Sequence, residues 1–586
     1  MKTKIRRRRN RVGSLQDSSG SWVENEVELK RLVVDFFKNL YREDEHDECI
    51  LSTNSSFPSL DQEVAALTIP PSDIEIHRVV NMMGLYKAPG VDGLPPIFYQ
   101  RNWEVVGSNV CSYVREVFRG ETDLKTANQT LIALIPKIEQ PKRIDQFRPI
   151  SLCTVHYKCI SKVISQRLRA IMAKLISPLQ ASFVPGRNIQ DNIVIGQEIL
   201  HKMRKTTGRC GIMSIKIDFE KAYDRISWSF VRRVLEEAGF HGKFTELVMT
   251  CITSSSLNVL WNGERTESFL PGRGLRQGDP LSPFVFVLCM EKLSHIIQDK
   301  VRDSGWKPVF ITKEGPSISH LMFADDLLLF GETSENQAMC MMDAIKTFCD
   351  ASGAKVNHSK SSVFFSPKVP AIVKGRVKGI MGMKISNDFG KYLGFSMPKQ
   401  GRNQNIFQYV VDRVKSKLSM WKANSLSKAG RITMAKSVIS SIPLYPMQVA
   451  QLSKRVCEEV ERLQRNFIWG SSDERRGYHP ISWETVTQLK QFGGLGIKRL
   501  GAMNRAFGAR LAWTLVRGSK SLWAQVLQKK YMYREGSSLL EARPTDSSLW
   551  KFICKQKSVV DAGSRWQIRD GKFVSFFFSG LLAIQE

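Results

Sequence analysis

Two adjacent aspartates, Asp325 and Asp326, are the side chains whose type and spacing most clearly suggest chemistry. They separate two apolar runs, residues 321–324 and 327–330, and each run has the length and composition of a buried strand. The pattern predicts a hairpin with both acids in its turn. Two ionised carboxylates held together repel each other, and a divalent metal would compensate their charge. An ordinary hairpin with acids at its tip is the alternative.

A second acid, Asp218, ends a stretch of alternating polarity. Residues 211–218 predict a strand with this carboxylate at its carboxyl end. Tyr223 follows five residues later, and residues 228–238 have the pattern of a helix that closes a βα unit. The chain therefore carries two separate acidic sites, each next to a predicted strand.

A glycine-containing loop, residues 274–283, lies between these two sites in the sequence. It leads into an apolar helix for which Ser282 is the predicted N-cap and Pro283 the predicted first residue. The strand acid, this loop and the two-acid hairpin follow one another in the order and spacing of the palm of a nucleic-acid polymerase.

Nucleotidyl transfer in such a palm uses two Mg²⁺ ions about 3.5–4 Å apart. Hard cations of this kind are bound by carboxylate oxygens. Asp218 and Asp325 would bridge both metals. Asp326 would be a further ligand or would attract the metals through its negative charge.

The composition indicates a folded, basic protein with a polyanionic partner. The 586 residues include 86 Lys and Arg against 56 Asp and Glu, a net charge of +30. Nucleic acid is the simplest partner, while a membrane surface and a merely solubilising charge are alternatives. No apolar run reaches the ~18 residues of a membrane span. The eleven cysteines form no CxxC pair and predict free thiols instead of a zinc site.

The chain resembles one known family in ten motifs. These occupy residues 135–137, 147–152, 183–188, 216–224, 274–283, 323–326, 353–361, 391–394, 426–431 and 493–497. In this order they resemble the reverse transcriptases of non-LTR (LINE-type) retrotransposons, particularly those of plants. The resemblance covers most of residues 70–510.

This resemblance implies a role for each matching acid. Asp218, Asp325 and Asp326 are similar to the catalytic, metal-binding triad of the family, with Phe219 at a further metal-binding position. Two Mg²⁺ ions are the implied cofactors, and Mn²⁺ is possible. Tyr223 resembles the aromatic gate that excludes the 2′-OH of a ribonucleotide, and a core tyrosine is the alternative.

The resemblance also implies a nucleotide-binding set. Lys137 and Arg148 are similar to the residues that neutralise the incoming triphosphate. Gln277 and Gly278 resemble the loop that packs on the nascent base pair. Lys360 is similar to the lysine that protonates pyrophosphate, and an exposed lysine without function is the alternative. The primer grip corresponds to Tyr392, Leu393 and Gly394.

The implied fold is an α+β right hand: fingers, a palm with an antiparallel sheet, a helical thumb and a helical C-terminal extension. The predicted domains are a basic N-terminal arm and linker, a helical extension, fingers with palm, the thumb, and a basic Trp-rich C-terminal region, at 1–60, 61–127, 128–395, 396–470 and 471–586. The tryptophans of the last region could stack on bases, although core positions are favoured.

The implied activity is RNA-directed DNA synthesis with an RNA template, a DNA primer and deoxynucleoside triphosphates as partners, and without a membrane. We expect a chain that lacks the family's endonuclease and is truncated at its C-terminus. A remnant that binds RNA without turnover, or an intron maturase, is the alternative. The basic run of residues 2–11 suggests the nucleus, a nucleic-acid arm or a weakly supported mitochondrial address.

Overall fold

The computed structural model describes residues 11–43, 53–60, 63–206, 208, 210–398, 406–418, 426–470, 477–533 and 540–564. Residues 1–10, which hold most of the basic run, and the end of the chain from residue 565 lie outside these ranges. The fold combines helices and sheets, as predicted. It forms two compact units, one of residues 1–188, 207–309 and 318–386, the other of residues 189–206, 310–317 and 387–586.

The strands are numbered in chain order: β1 Leu15–Gln16, β2 Trp22–Val23, β3 Gln129–Pro136, β4 Phe147–Cys153, β5 Ile212–Ile217, β6 Ser256–Trp261, β7 Glu264–Arg265, β8 Val309–Phe310, β9 Ser317–Ile318, β10 His320–Phe323, β11 Asp326–Glu332, β12 Ser362–Phe365, β13 Lys384–Ile385, β14 Lys391–Tyr392 and β15 Phe395–Ser396.

The helices are likewise numbered in chain order: α1 Glu26–Leu40, α2 Glu63–Thr68, α3 Asp73–Asn81, α4 Pro96–Arg101, α5 Trp103–Arg119, α6 Val155–Leu175, α7 Ile189–Lys205, α8 Ala222–Arg225, α9 Trp228–Glu237, α10 Lys243–Thr253, α11 Ser282–Arg302, α12 Glu335–Ser352, α13 Ala371–Met381, α14 Gln408–Lys417, α15 Lys428–Met434, α16 Leu444–Met447, α17 Lys454–Trp469, α18 Trp483–Val486, α19 Leu500–Val516, α20 Leu522–Leu527, α21 Ser548–Cys554 and α22 Lys557–Gly563.

A five-stranded sheet in the order β10-β11-β5-β12-β13 forms the centre of the first unit. The predicted hairpin is formed by strands β10 and β11, which pair antiparallel. Its turn is residues 324–325, so the prediction of both acids in the turn is wrong for Asp326, which begins β11 and pairs with Phe323. Strand β5 lies antiparallel between β11 and β12. The prediction of an antiparallel sheet is wrong for the last pair, because β13 runs parallel to β12 after the crossover through α13. Helices α11 and α12 bury apolar side chains in the same core.

A second sheet of the first unit has the order β4-β3-β6-β7. The N-terminal helix α1 packs on it: Val33 and Phe37 belong to the same buried cluster as Val259 and Trp261. Asn25 caps this helix by accepting from the amides of Val27 and Glu28. Side chains between residues 15 and 41 thus contribute to the hydrophobic core of the first unit.

The start of α11 corrects a sequence prediction. The helix begins with Ser282 at its first position and with Leu281 as N-cap, so Ser282 is not the cap and Pro283 is the second helical residue. The physical reason is a turn before the helix, in which Asp279 Oδ1 accepts from the Leu281 amide at 3.1 Å: Leu281 already has helical backbone angles, and no side chain caps the helix.

Glu291 of α11 is a buried carboxyl whose titration we expect to control stability. It is 2% exposed, and burial raises its pKa to about 8, although the Ser177 amide donates to it at 3.1 Å. The unfolded chain loses this proton at lower pH, so the stabilisation from this group is complete in acid and is lost as the pH rises to about 8. Replacing the carboxyl by an amide removes this dependence.

Glu291→Gln should therefore melt close to the wild-type temperature at about pH 5 and above it at about pH 8.5. Thermal unfolding of both proteins across this range measures the effect. A melting-temperature difference that is the same at both ends of the range would contradict the assignment.

The second unit is helical and contains α7 together with the chain from residue 387 onward. Val410 and Val414 of α14 are buried with Val456 and Val460 of α17. The favoured core positions for tryptophan are confirmed for Trp523 and Trp550, which are buried, whereas Trp513 is 44% exposed. Among the described residues no helix is both long and apolar enough to cross a membrane.

Candidate active site

Asp218, Asp325 and Asp326 come together at one end of the five-stranded sheet. Strand β5 ends at Ile217, which pairs with Leu327 of β11, so the next step of the antiparallel register brings Asp218 to Asp326. Asp325 occupies the turn between β10 and β11, and this turn is tight because Ala324 adopts a left-handed conformation with φ of 55°. Strand pairing thus assembles acids that are more than 100 residues apart in sequence.

The three carboxylates interact electrostatically. Partial burial, together with the charges of Asp326 and Asp218, raises the pKa of Asp325. Partial burial and the charge of Asp218 also raise the pKa of Asp326, while the Lys216 cation lowers it. Carboxylates that repel each other in this way are stabilised by a bound cation. The donor set is made of hard oxygen ligands, which Mg²⁺ and Mn²⁺ prefer.

The three carboxylates do not form a preformed metal-binding site. Within the described ranges, no three Asp, Glu, His or Cys side chains are already arranged as metal ligands. Phe219 buries its side chain, and its ring packs against Phe348 with centroids 6.1 Å apart. Any contribution of Phe219 to a metal would therefore come from its main-chain carbonyl.

Lys360 is held beside Asp218 by main-chain contacts. The Asp218 amide donates to Ser361 Oγ at 3.0 Å, and the Asp218 carbonyl accepts from the Asn357 amide at 2.7 Å. These bonds fix the loop of residues 357–361 against the end of β5. The Lys360 ammonium lies 4.0 Å from Asp218 Oδ1.

Tyr223 combines a core contact with proximity to the acids. Its ring stacks on Phe286 of α11, with centroids 4.1 Å apart and planes 13° apart. Burial and the charge of Asp325 raise the pKa of Tyr223, so its hydroxyl stays protonated at neutral pH. The ring of Tyr223 thus packs in the core on one side and lies close to the acidic site. Both alternatives from the sequence, a core tyrosine and a residue of the nucleotide site, are compatible with this position.

Lys137 and Arg148 lie at the same end of the β3–β4 pair. Arg148 pairs with Ile135, and the Lys137 amide donates to the Gln146 carbonyl at 2.8 Å. Partial burial, then the cations Lys360 and Arg148, lower the pKa of Lys137. The field of Arg148 also acts on Asp325. A positive group of three side chains therefore faces the negative group.

Gln277 and Gly278 are tied to strand β4. The Gln277 carbonyl accepts from the Ser151 amide at 2.7 Å. Gly278 has φ of 110°, and a Cβ at this residue would lie 3.0 Å from the Ser151 carbonyl oxygen. Only glycine combines this conformation with such a close approach.

The predicted primer-grip residues belong to the second unit. Tyr392 is buried and its hydroxyl contacts Asn192 Nδ2 at 3.4 Å. Leu393 and Gly394 form the left-handed turn of the β14–β15 hairpin, and the Leu393 carbonyl accepts from the Tyr445 hydroxyl. The other predicted site residues all lie in the first unit.

Sequence reasoning missed a buried ionic network beneath the nucleotide loop. Arg276 donates to Asp279 Oδ2 at 3.1 Å and to the Cys251 carbonyl at 2.8 Å, and it stacks over the ring of Tyr157. The Tyr157 hydroxyl donates to the same Asp279 oxygen at 2.5 Å. An arginine and an aspartate three residues apart, at Arg276 and Asp279, are the sequence signal for such a pair.

Comparison with known proteins agrees with this geometry. A family model described as reverse transcriptase (RNA-dependent DNA polymerase) matches residues 135–397. The chain is 26% identical over 504 residues, 83% of its length, to the uncharacterized 149 kDa protein of transposon TX1 from Xenopus laevis. It is 25% identical over 493 residues, 81% of its length, to the retrovirus-related Pol polyprotein of the type-2 retrotransposable element R2DM from Drosophila melanogaster. Residues 135–397 thus match the reverse transcriptase family, and the chain is similar to proteins of non-LTR retrotransposons over most of its length.

A plant relative supports the predicted branch of this reverse transcriptase family. The chain is 36% identical over 178 residues, 30% of its length, to a putative ribonuclease H protein of Arabidopsis thaliana. The matched segments cover 36% of the Xenopus protein, 29% of the Arabidopsis protein and 43% of the Drosophila protein. The chain thus spans less than half the length of each of these relatives.

Proposed function

We propose that this chain is an RNA-directed DNA polymerase that extends a DNA 3′-OH on an RNA template. The observation that carries the proposal is the convergence of Asp218, Asp325 and Asp326 at one sheet end, with Lys360 4.0 Å from Asp218. A negative group that can hold metals and a positive group that can hold a triphosphate then lie on the two sides of one site.

In this proposal Asp218, Asp325, Asp326 and the Phe219 carbonyl hold two Mg²⁺ ions, which Mn²⁺ could replace. When bound, these ions supply Lewis-acid stabilisation of the charge that develops on the phosphate oxygens. The raised pKa values of Asp325 and Asp326 are compatible with this role: burial is their main cause, and the neighbouring carboxylates raise both values further.

The remaining side chains of the site act on the nucleotide. Lys137 and Arg148 neutralise the triphosphate, and Gln277 with Gly278 packs on the nascent base pair. The primer 3′ oxygen forms a bond to the α-phosphorus while the bond from that phosphorus to the bridging oxygen breaks. The hydroxyl proton passes to solvent, and Lys360 donates a proton to the departing pyrophosphate.

The proposed layout is a right hand. The two sheets of the first unit supply palm and fingers, and α14 to α17 of the second unit supply the thumb. Tyr392, Leu393 and Gly394 grip the primer in this layout. The nucleus is the proposed compartment, on the basis of the basic run at residues 2–11.

One experiment separates the proposed polymerase from a remnant that only binds RNA. The purified chain is tested for incorporation of dTTP on poly(rA) primed with oligo(dT), with Mg²⁺ and with a chelator, and for retention of the same RNA on a filter. We expect Mg²⁺-dependent incorporation. RNA retention without incorporation would overturn the polymerase and favour the remnant.

Tyr223→Ala is expected to relax sugar selection by about 10²-fold, because removal of the ring opens the space that a 2′-OH would need. The measurement is the ratio of kcat/KM for dTTP to that for UTP on poly(rA) primed with oligo(dT). Tyr223→Phe is the matched control and should keep the selectivity, since it retains the ring and its stacking on Phe286. An unchanged ratio in Tyr223→Ala would contradict the gate.

A further inference from the structure

Asp224 is a buried carboxylate next to the predicted sugar gate, and it has two neutral hydrogen-bond donors. It is 1% exposed. Its Oδ1 accepts from the Tyr41 hydroxyl at 3.1 Å, and the Gln277 side-chain amide donates to both of its oxygens at 3.2 Å. One carboxylate thus joins the residue after α1 to the glutamine of the nucleotide loop.

The main chain around Asp224 also fixes the start of that loop. The Leu275 amide donates to the Tyr223 carbonyl at 2.7 Å, and the Gly274 amide donates to the Ile226 carbonyl at 2.8 Å. Gly274 has φ of 89°, and a Cβ there would lie 2.6 Å from the Asp224 carbonyl oxygen. The loop therefore begins in close contact with the α8 turn, and the Asp224 side chain adds a second attachment at Gln277.

The N-terminal segment contacts both partners of this attachment. The Gly272 amide donates to the Tyr41 carbonyl at 2.8 Å, and Arg273 Nε donates to the Leu40 carbonyl at 3.0 Å. On the other side, Lys221 Nζ lies 4.0 Å from the centre of the Phe36 ring. Helix α1 and Tyr41 are thus bound to the α8 turn and to the residues that lead into the nucleotide loop.

We propose that Asp224 is a positioning residue that holds Gln277 in register with the gate at Tyr223, and that Tyr41 of the N-terminal segment holds Asp224. This inference rests on the proposed function, because it gives the contact of Tyr41, Asp224 and Gln277 a role in nucleotide binding. It makes Tyr41 a part of the nucleotide site, although Tyr41 is 177 residues from Asp218 in sequence.

A carboxylate suits this position because it can accept from both donors at once. An asparagine would be neutral and would replace one oxygen by an N–H donor, so it would weaken both hydrogen bonds and lose the second contact of Gln277. Burial raises the pKa of Asp224 to about 6, while the Tyr41 hydroxyl, Lys221, Gln277 and Lys137 lower it. At neutral pH these contacts help to keep the carboxylate charged and accepting.

The test compares Tyr41→Phe and Asp224→Asn with the wild type on poly(rA) primed with oligo(dT). Two quantities are measured: the KM and kcat for dTTP during extension, and the Kd for dTTP on the same template with a dideoxy-terminated primer. We expect the KM and Kd of Tyr41→Phe to rise about tenfold, the loss of one buried hydrogen bond to a charged group, with kcat changed less than twofold. Asp224→Asn should show at least this loss.

A double-mutant cycle and a matched control test whether Asp224 affects dTTP binding through Gln277. Asp224→Asn and Gln277→Ala should be strongly non-additive in the Kd for dTTP, because each breaks the same contact. Lys38→Gln is the control on α1: it removes an exposed ion pair with Glu267, at 2.7 Å, and should leave the KM unchanged.

The outcomes distinguish this inference from the proposed function. Extension by all proteins with equal KM and Kd, or a loss in kcat alone, overturns the positioning role and leaves the polymerase intact. Binding of dTTP without extension by the wild type overturns the polymerase, and the Kd values still decide the role of Asp224. A wild type that neither binds nor extends overturns both.

Discussion

Asp325→Asn should abolish primer extension, with kcat reduced by about 10³-fold or more, while the affinity for RNA stays unchanged. The substitution keeps the size of the side chain and removes its charge at the hairpin turn, where Asp218 and Asp326 contribute the remaining charge of the site. A divalent ion in such a site stabilises the transition state by several kcal/mol, which corresponds to a rate factor of this size.

The measurement is single-turnover incorporation of dTTP on poly(rA) primed with oligo(dT), over a series of Mg²⁺ concentrations. Asp303→Asn is the control, since Asp303 is an exposed acid just past the end of α11 in the same unit. Extension by the Asp325→Asn protein at the rate of this control would show that Asp325 is not a part of the site.

Arg276→Ala should lower the free energy of unfolding by about 3–5 kcal/mol, the range for removing one partner of a buried ion pair. The substitution leaves Asp279 buried and without its cation, and it deprives Asn128, Thr130 and the Cys251 carbonyl of a donor. We expect the activity to fall with stability, because Gln277 and Gly278 directly follow the arginine.

Urea and thermal unfolding of the purified proteins measure this loss. The double variant Arg276→Leu with Asp279→Leu should recover part of it, because replacing both charges by apolar groups removes the unpaired carboxylate. A single variant as stable as the wild type would mean that the network contributes little. A double variant less stable than the single one would mean that the shape of these side chains, and not their charge, determines the free energy of unfolding at this position.

Local sequence patterns were sufficient to predict the strands that carry the three aspartates. Alternating polarity predicted β5, and two apolar runs around Asp325 and Asp326 predicted the β10–β11 hairpin, because both signals arise within a few residues. The pairing of β5 with β11 was not readable from these patterns, since many registers place an acid at a strand end. It followed in the sequence only from the resemblance to a polymerase, and the structure supplies the register that joins Asp218 to Asp326.

The unpredicted features all depend on long-range contacts. The turn at Asp279 precedes the local Ser-Pro signal at residues 282–283, and Arg276 and Tyr157 hold Asp279 through tertiary contacts that this signal does not contain. The contact between Tyr41 and Asp224 joins residues 183 positions apart. A lone tyrosine after a helix and an aspartate after a tyrosine carry no pattern that would pair them.

Copying of a defined RNA is the direct test of the proposed template-directed DNA synthesis at the three-aspartate site. The purified chain is given a mixed-sequence RNA, a DNA primer annealed to its 3′ end, all four deoxynucleoside triphosphates and Mg²⁺, and the products are sequenced. We expect Mg²⁺-dependent products that are complementary to the RNA and that disappear with Asp325→Asn. Absence of product, or a tail whose sequence is independent of the template, would contradict it.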